Sequence, residues 1–553
     1  MRADEASAPP GGGETRGAAS FWLETLGCPK NQVDSDKLGG RLEAGGYQRA
    51  RRPEEADLLV VNTCAFIEAA REESIGVVLE LAGAKKAGAK LAVTGCLAER
   101  YGQELAEAMP EVDRVAGFGV PVEVEAPVRA DGPVEADGPA RADGPTPADG
   151  PTRAGGPAQA EAPPVQVGVP VRLAATRRGP LGQRPRTAPV SGRSGAETLR
   201  PSFDLLNLPR PAAHAPWAYV KVAEGCDRHC GFCAIPSFRG PQRSRRAPDI
   251  LAEVADLGVQ EVVLVAQDLV SWDRDLSGRG RATPRAAQPG DLGAQEIAGL
   301  VSLVRAVRER VERVRLLYLY PSGLSEELVD VIGESGCPYF DLSLQHVSGP
   351  LLRRMRRSGS GDRFLRKISE VRRRFPEAAL RSSFIVGYPG ETEEDHDALL
   401  CFLEQAQLDW VGLFAFSLEE GTFAAGLPGQ VPAALVAERL RECSELQDAI
   451  TARKRAELVG TTCRALVDTP GMARSHREAP EIDGVIRVPR HLATGSWVQL
   501  KIVDAIGPDL VGSPVAGKRQ DGRGSDRNWP SVVELEPGYT VGPALACNLS
   551  AGV

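Results

Sequence analysis

Six short apolar runs recur between Trp217 and Phe416, and they constrain the fold more than any other feature of the chain. They are WAYVKVA, EVVLVAQ, VRLLYLY, FDLSLQH, LRSSFIVG and WVGLFAF. Each has the length of a buried strand. The gaps between them carry helical patterns, for example over 248–257, 295–311, 325–332 and 393–405. Parallel strands joined by right-handed helical crossovers curl into an open or partial barrel. The loops after their C-terminal ends then gather on one face. A further helical stretch, 433–458, closes this region.

Upstream, FWLETLG, DLLVVNT and KLAVTG alternate with helical stretches over 33–42 and 66–81. This pattern predicts a small parallel α/β domain. Downstream, TTCRALVD, DGVIRV and SWVQLKIVDA are short β patterns separated by turn residues, which predict a five-strand barrel of the OB type. The expected fold class is therefore α/β and multidomain. An N-terminal parallel α/β domain (19–120) precedes a partial (β/α)6 barrel (211–450) and a small C-terminal β-barrel (451–515). Residues 1–18 and 516–553 read as irregular tails. Between the first two domains, ADGP recurs at Ala130, Ala136, Ala142 and Ala148. Such repeats force turns and offer too little apolar surface to offset ordering entropy, so 121–210 reads as a disordered insert. Gly and Pro, 60 and 43 of 553 residues, are concentrated there and in the tails. A shorter polar insert spans 273–290.

A net charge of −8 argues against a generally basic nucleic-acid coat. No apolar run is long enough to span a bilayer, and the polar N-terminus lacks the apolar segment of a secretory leader. The expected setting is cytoplasmic and reducing, without a membrane. Clustered cysteines there read as metal ligands rather than disulfides.

Eleven cysteines are present. Cys226, Cys230 and Cys233 form a CxxxCxxC directly after the first barrel strand. Three thiolates on one short loop can ligate three irons of a [4Fe–4S] cube and leave the fourth iron open. A structural zinc site would want a second ligand pair, and none follows His229. Cys28, Cys64 and Cys96, in TLGCPKN, VNTCAF and VTGCLAER, each follow a predicted strand. Strand ends of a parallel sheet face one crevice, so these three can converge into a second cluster site. Buried free thiols are the alternative. Cys337, Cys401, Cys443, Cys463 and Cys547 share no spacing or strand-end register and read as structural or incidental.

The blocks TLGCPKNQVDSD, VVNTCAFIEAA, TGCLAERY, AEGCDRHCGFCAIPSFRGPQRSR, RSSFIVGYPGETEED, LFAFSLEEGT and ARSHREAPEIDGVI together resemble the radical S-adenosylmethionine (SAM) methylthiotransferases. The last block resembles their appended TRAM domain, and FSLEEGT and GCLAERY are most similar to the RimO branch. The resemblance covers about residues 20–118 and 216–512. It implies that Cys226, Cys230 and Cys233 hold the [4Fe–4S] cluster that cleaves SAM. It further implies that Cys28, Cys64 and Cys96 hold an auxiliary [4Fe–4S] cluster carrying the transferred sulfur. One SAM would methylate that sulfur, and a second would yield the radical that takes hydrogen from a carbon. The substrate implied is the β-carbon of an aspartate in protein twelve of the small ribosomal subunit. The alternatives are a transfer-RNA adenosine, as in the MiaB-like branch, or a non-catalytic iron–sulfur sensor or RNA-binding protein.

The same resemblance implies an electron donor such as flavodoxin or ferredoxin, a sulfur donor, and substrate or ribosomal RNA contact through TRAM. Phe232 resembles the position that packs near the adenine of SAM. Gln267, Gln345, Arg381 and Gly387, at strand ends, are the further SAM candidates, and His346 reads as a loop-fixing residue. The arginine-rich stretch 351–376 reads as a solvated helical face or a contact for ribosomal substrate or RNA.

Overall fold

A parallel sheet of three predicted strands opens the architecture. Phe21 of Ser20–Thr25 sits beside Leu58 of Leu58–Thr63, and Leu58 beside Lys90 of Lys90–Gly95. Two edge strands complete it, Gln48–Arg49 and Arg114–Val115. Two residues are too few to carry an alternating pattern, so the sequence reading missed them. The computed structural model describes residues 18–123, 203–277 and 297–515. The ADGP repeats, both tails beyond these limits, most of the 273–290 insert and Cys547 lie outside them.

The first helix spans Pro29–Ala44 rather than beginning at residue 33. Proline at the first helical position has a preset φ and no N–H to leave unpaired, so the helix starts a turn early. The second spans Glu68–Ala84 and the third Cys96–Ala108. Residues 203–210, read as part of the insert, belong to the folded body. Phe203, Leu205 and Leu206 are buried, the Lys37 ammonium donates to the Leu206 carbonyl at 2.7 Å, and Arg210 pairs with Asp36.

The barrel strands follow sequence order: Trp217–Lys221, Glu261–Val265, Arg313–Leu316, Tyr339–Gln345, Ala379–Val386 and Trp410–Ala415. All neighbouring pairs are parallel. The sheet is nevertheless two three-stranded halves joined by one bridge, Leu319 to Leu342. The predicted VRLLYLY strand stops at Leu316 because Tyr318 adopts a φ of +65°, which no strand accommodates. Helices Ala247–Leu257, Gly299–Arg308, Glu326–Glu334, Gly361–Arg374 and Glu393–Ala406 cover the outside. Ala433–Ala456 closes the last strand.

The C-terminal barrel closes in the order Thr462–Thr469, Met472–Arg474, Ile486–Arg487, Asp509–Pro514 and Trp497–Ile506. It does not hang free. Its 475–483 segment enters the interior of the (β/α)6 barrel. There the Tyr219 hydroxyl donates to the Pro480 carbonyl at 2.9 Å, and the Tyr339 hydroxyl to Asp483 at 2.5 Å. Val33 of the first helix packs into the same buried cluster as Tyr219, Tyr339 and Ala479. Both flanking domains thus fill the central barrel. Among the described residues no helix is long and apolar enough to cross a membrane.

Candidate active site

The CxxxCxxC loop leaves the first barrel strand through Gly225, whose φ is +77°. A Cβ there would lie 2.2 Å from the Pro241 carbonyl oxygen, so only glycine fits. Backbone bonds then fix the loop. The Cys226 amide donates to Gly240 at 3.1 Å, the Cys233 amide to Cys230 at 3.2 Å, and the Gly231 amide to Met355 at 2.8 Å. The three thiols line a cavity together with Arg228, Gln267, Asp268, Tyr318, Tyr320 and Arg357, among others. Arg228 donates to Asp268 at 2.6 Å and lies over the Tyr320 ring at 3.5 Å. Arg357 covers the same ring at 4.2 Å and donates to the Cys230 sulfur at 3.3 Å. Burial pushes the Cys226 thiol up to about 11 and the Cys233 thiol further. These sulfurs therefore need a cation to ionise them. Three sulfurs on one short loop around a cavity suit a multi-iron cluster that leaves one iron open.

The N-terminal cysteines follow the ends of their strands as the register predicts. Gly27, at φ +95°, lets the Cys28 loop approach Cys64, since a Cβ would sit 2.8 Å from that residue's own Cβ. Asn31, fully buried, ties the three strand ends together. Its amide donates to Leu26 at 2.9 Å and to Thr63 at 3.0 Å, and its Oδ1 faces the Cys96 thiol at 3.8 Å. Desolvation pushes the Cys64 and Cys96 thiols well up.

Arg239 joins the two cysteine sets. It ends the short helix Ile235–Arg239 that follows the CxxxCxxC loop. Its guanidinium donates to Cys96 Sγ at 3.0 Å, to Asn31 Oδ1 at 2.8 Å and to Glu224 at 2.6 Å. Glu224 also accepts from Lys221 at 2.6 Å and from Gln267 at 2.8 Å. Burial works against the Glu224 carboxylate, but Arg239 and Lys221 outweigh it and hold the group far below its usual range. Higher up, Arg71 and Arg100 of the N-terminal domain both donate to buried Glu419 at 2.6 Å.

The SAM candidates divide. Gln267 lines the thiol cavity. Phe232 and Gln345 line a second cavity with Phe66, Ile67 and Phe414. Gly387 lines neither. Its amide donates to Glu391 at 2.5 Å, and a Cβ would strike Val436. Arg381 is engaged elsewhere, with Asp341 at 3.2 Å and Asp483 at 3.5 Å. Burial lowers His346 to about 4, so it is neutral near pH 7, and its Nδ1 accepts from the Ser348 amide, as a loop-fixing residue would. The arginine-rich stretch is only partly a solvated face. Arg372 caps the Ala406 and Gln407 carbonyls, Arg374 pairs with Asp330, and Arg357 reaches the thiol cavity. Sequence reasoning missed Asn31, Lys30, Glu224, Arg239, Tyr318 and Arg357. The first four lie within the quoted cysteine-bearing blocks, whereas Tyr318 carried no signal beyond its strand pattern.

Three family models match the chain: the uncharacterized protein family UPF0004 over 20–117, the radical SAM superfamily over 220–403, and the TRAM domain over 459–515. The radical SAM match implies SAM and a [4Fe–4S] cluster as cofactors. The chain is 39% identical over 514 residues to the ribosomal protein uS12 methylthiotransferase RimO of Streptomyces coelicolor, covering 90% of this chain and 96% of that one. The corresponding proteins of Streptomyces avermitilis and Cutibacterium acnes are 39% and 38% identical, covering 90% and 89% of this chain and 96% and 97% of theirs. With likeness of that extent along nearly the whole of both chains, the protein belongs to the RimO family of radical SAM methylthiotransferases.

Proposed function

We propose that this chain adds a methylthio group to the β-carbon of an aspartate in ribosomal protein uS12. In this reading Cys226, Cys230 and Cys233 hold the SAM-cleaving cluster, and Cys28, Cys64 and Cys96 hold a second [4Fe–4S] cluster. When bound, these groups supply a 5′-deoxyadenosyl radical and the sulfur to be transferred, chemistry that no side chain offers at an unactivated C–H bond. The observation that carries the reading is the junction of the two cysteine sets. Arg239, six residues beyond Cys233, donates to the Cys96 sulfur. Tyr318 lines the Cys226–Cys230–Cys233 cavity, and its ring carries the ammonium of Lys30, two residues beyond Cys28. A sensor with one cluster has no use for a second cysteine triad, two of its thiols buried, beside the first.

The chain's own residues would hold the clusters, exclude water and orient the groups. Phe232, Gln267 and Gln345 line the cavities that would receive SAM, with Arg381 and Gly387 supporting the strand ends behind them. Electrons would come from a flavodoxin or ferredoxin, sulfur from a separate donor, and TRAM would face substrate or ribosomal RNA. The test is anaerobic reconstitution with reductant and SAM, followed by mass spectrometry of purified uS12 and of transfer RNA. A methylthio mass on one uS12 aspartate and none on RNA is expected. The mass on RNA alone would transfer the chain to the adenosine-modifying reading.

A further inference from the structure

Lys30 and Tyr318 are two buried donors with no acceptor. Lys30, in the first turn of the Pro29–Ala44 helix, is 4% exposed. Its ammonium lies over the Tyr318 ring, 3.7 Å from the centroid. Among the described residues it takes part in no hydrogen bond or ion pair. Tyr318 is 3% exposed, and its hydroxyl has no partner either. Its φ of +65° is an uncommon one for a tyrosine. The conformation is held by its amide, which donates to Asp341 Oδ2 at 3.0 Å. Backbone strain of this kind costs on the order of 1–3 kcal/mol and persists where surrounding structure imposes it. Here it turns the phenol toward the thiol cavity and lets the ring carry Lys30.

Leaving a fully buried hydroxyl unpaired beside a largely buried ammonium is costly, and native proteins pair such groups with something. The missing acceptor must suit a cation and a neutral donor together, and it must fit between the two cysteine sets. A carboxylate meets all three conditions. We propose that Lys30 and Tyr318 bind the side-chain carboxylate of the substrate aspartate at the junction of the two cysteine triads. The inference rests on the reaction proposed above. In that reaction the carbon that loses hydrogen is bonded directly to the carboxyl carbon, so holding the carboxylate places the β-carbon between the triads. It also accounts for selection of an acidic residue over its amide. Asparagine would meet the ammonium with no charge.

The test uses reconstituted full-length protein and measures binding of uS12 and of uS12 whose target aspartate is replaced by asparagine. Wild type should prefer the aspartate form by about tenfold or more, the size of one charge-assisted contact. Lys30→Met should erase most of that preference and Tyr318→Phe should reduce it, each keeping the iron content and cluster absorption of wild type. Tyr318→Phe deletes a single oxygen and guards against a folding defect in the lysine variant. Equal preference for both uS12 forms in wild type overturns the inference, as does undiminished preference in both variants. Loss of iron or an altered cluster spectrum in both variants also overturns it, because the acceptor would then be the cluster itself. If wild-type protein modifies uS12 yet any of these results appears, this inference alone fails. If wild-type protein never modifies uS12, the reaction itself is wrong.

Discussion

Serine at Cys226, Cys230 and Cys233 together abolishes 5′-deoxyadenosine formation, whereas serine at Cys28, Cys64 and Cys96 leaves it measurable and removes half of the iron. This is the expected outcome of anaerobic reconstitution, with iron counted per chain and the nucleoside followed by chromatography. The asymmetry follows from how each set is held. The CxxxCxxC loop is pinned by bonds to Gly240 and Met355, all within the central barrel. The N-terminal set depends on three strand ends gathered by Asn31. Losing its sulfurs leaves the barrel loop with every backbone contact intact. Wild type should carry about eight irons and each triple variant about four, as two cubes and one cube require. Loss of all iron from the N-terminal variant would show that the two sites assemble as one. Four irons in wild type would remove the second cluster.

The largest expected effect on stability is at Glu261. This carboxylate is fully buried at the start of the second barrel strand. It accepts from Arg315 at 2.8 Å, from Arg313 at 3.3 Å and from Arg474 of the C-terminal barrel at 3.2 Å. Burial alone would raise its pKa, but the three guanidiniums outweigh burial and bring it to about 2. Glu261→Gln keeps the shape and removes the charge, and only Arg474 retains another carboxylate, that of Asp468. Breaking a buried pair from one side costs about 3–5 kcal/mol, because the stranded charges remain desolvated. Urea unfolding followed by the fluorescence of Trp217 and Trp497, which lie against Arg474 and Arg313, reads this junction. The sign with pH follows from the depressed pKa. The stabilisation is complete above about 4.5 and is lost as pH falls toward 2. The gap between wild type and Glu261→Gln should therefore narrow over that range. A difference below about 1 kcal/mol near neutral pH would mean that water reaches the cluster.

The same junction changes how the C-terminal barrel can be probed. Read from sequence, it is a separate, appended barrel. Yet Pro480 and Asp483 bond to Tyr219 and Tyr339 inside the central barrel. Its deletion would open the barrel interior, so substrate contacts there must be tested by surface substitutions. The sequence reads it as separate because its strands have their own turn-bounded pattern. Nothing in that pattern tells where a loop such as 475–483 will lodge.

Local order was legible because it rests on short-range chemistry. Strand periodicity marked all six barrel strands, and the register of Cys28, Cys64 and Cys96 after three parallel strands already implied one crevice. The CxxxCxxC spacing announced its own chemistry, because a loop of eight residues must bring its sulfurs together. What only the tertiary structure decided was the traffic between domains. It decided that Arg239 spans the two triads, that Arg381 serves Asp341 and Asp483, that Glu261 gathers arginines from two domains, and that Lys30 and Tyr318 meet. Each joins residues far apart in the chain. Such contacts are set by which buried charges and donors must find partners once the domains close on one another, and no local pattern records that choice.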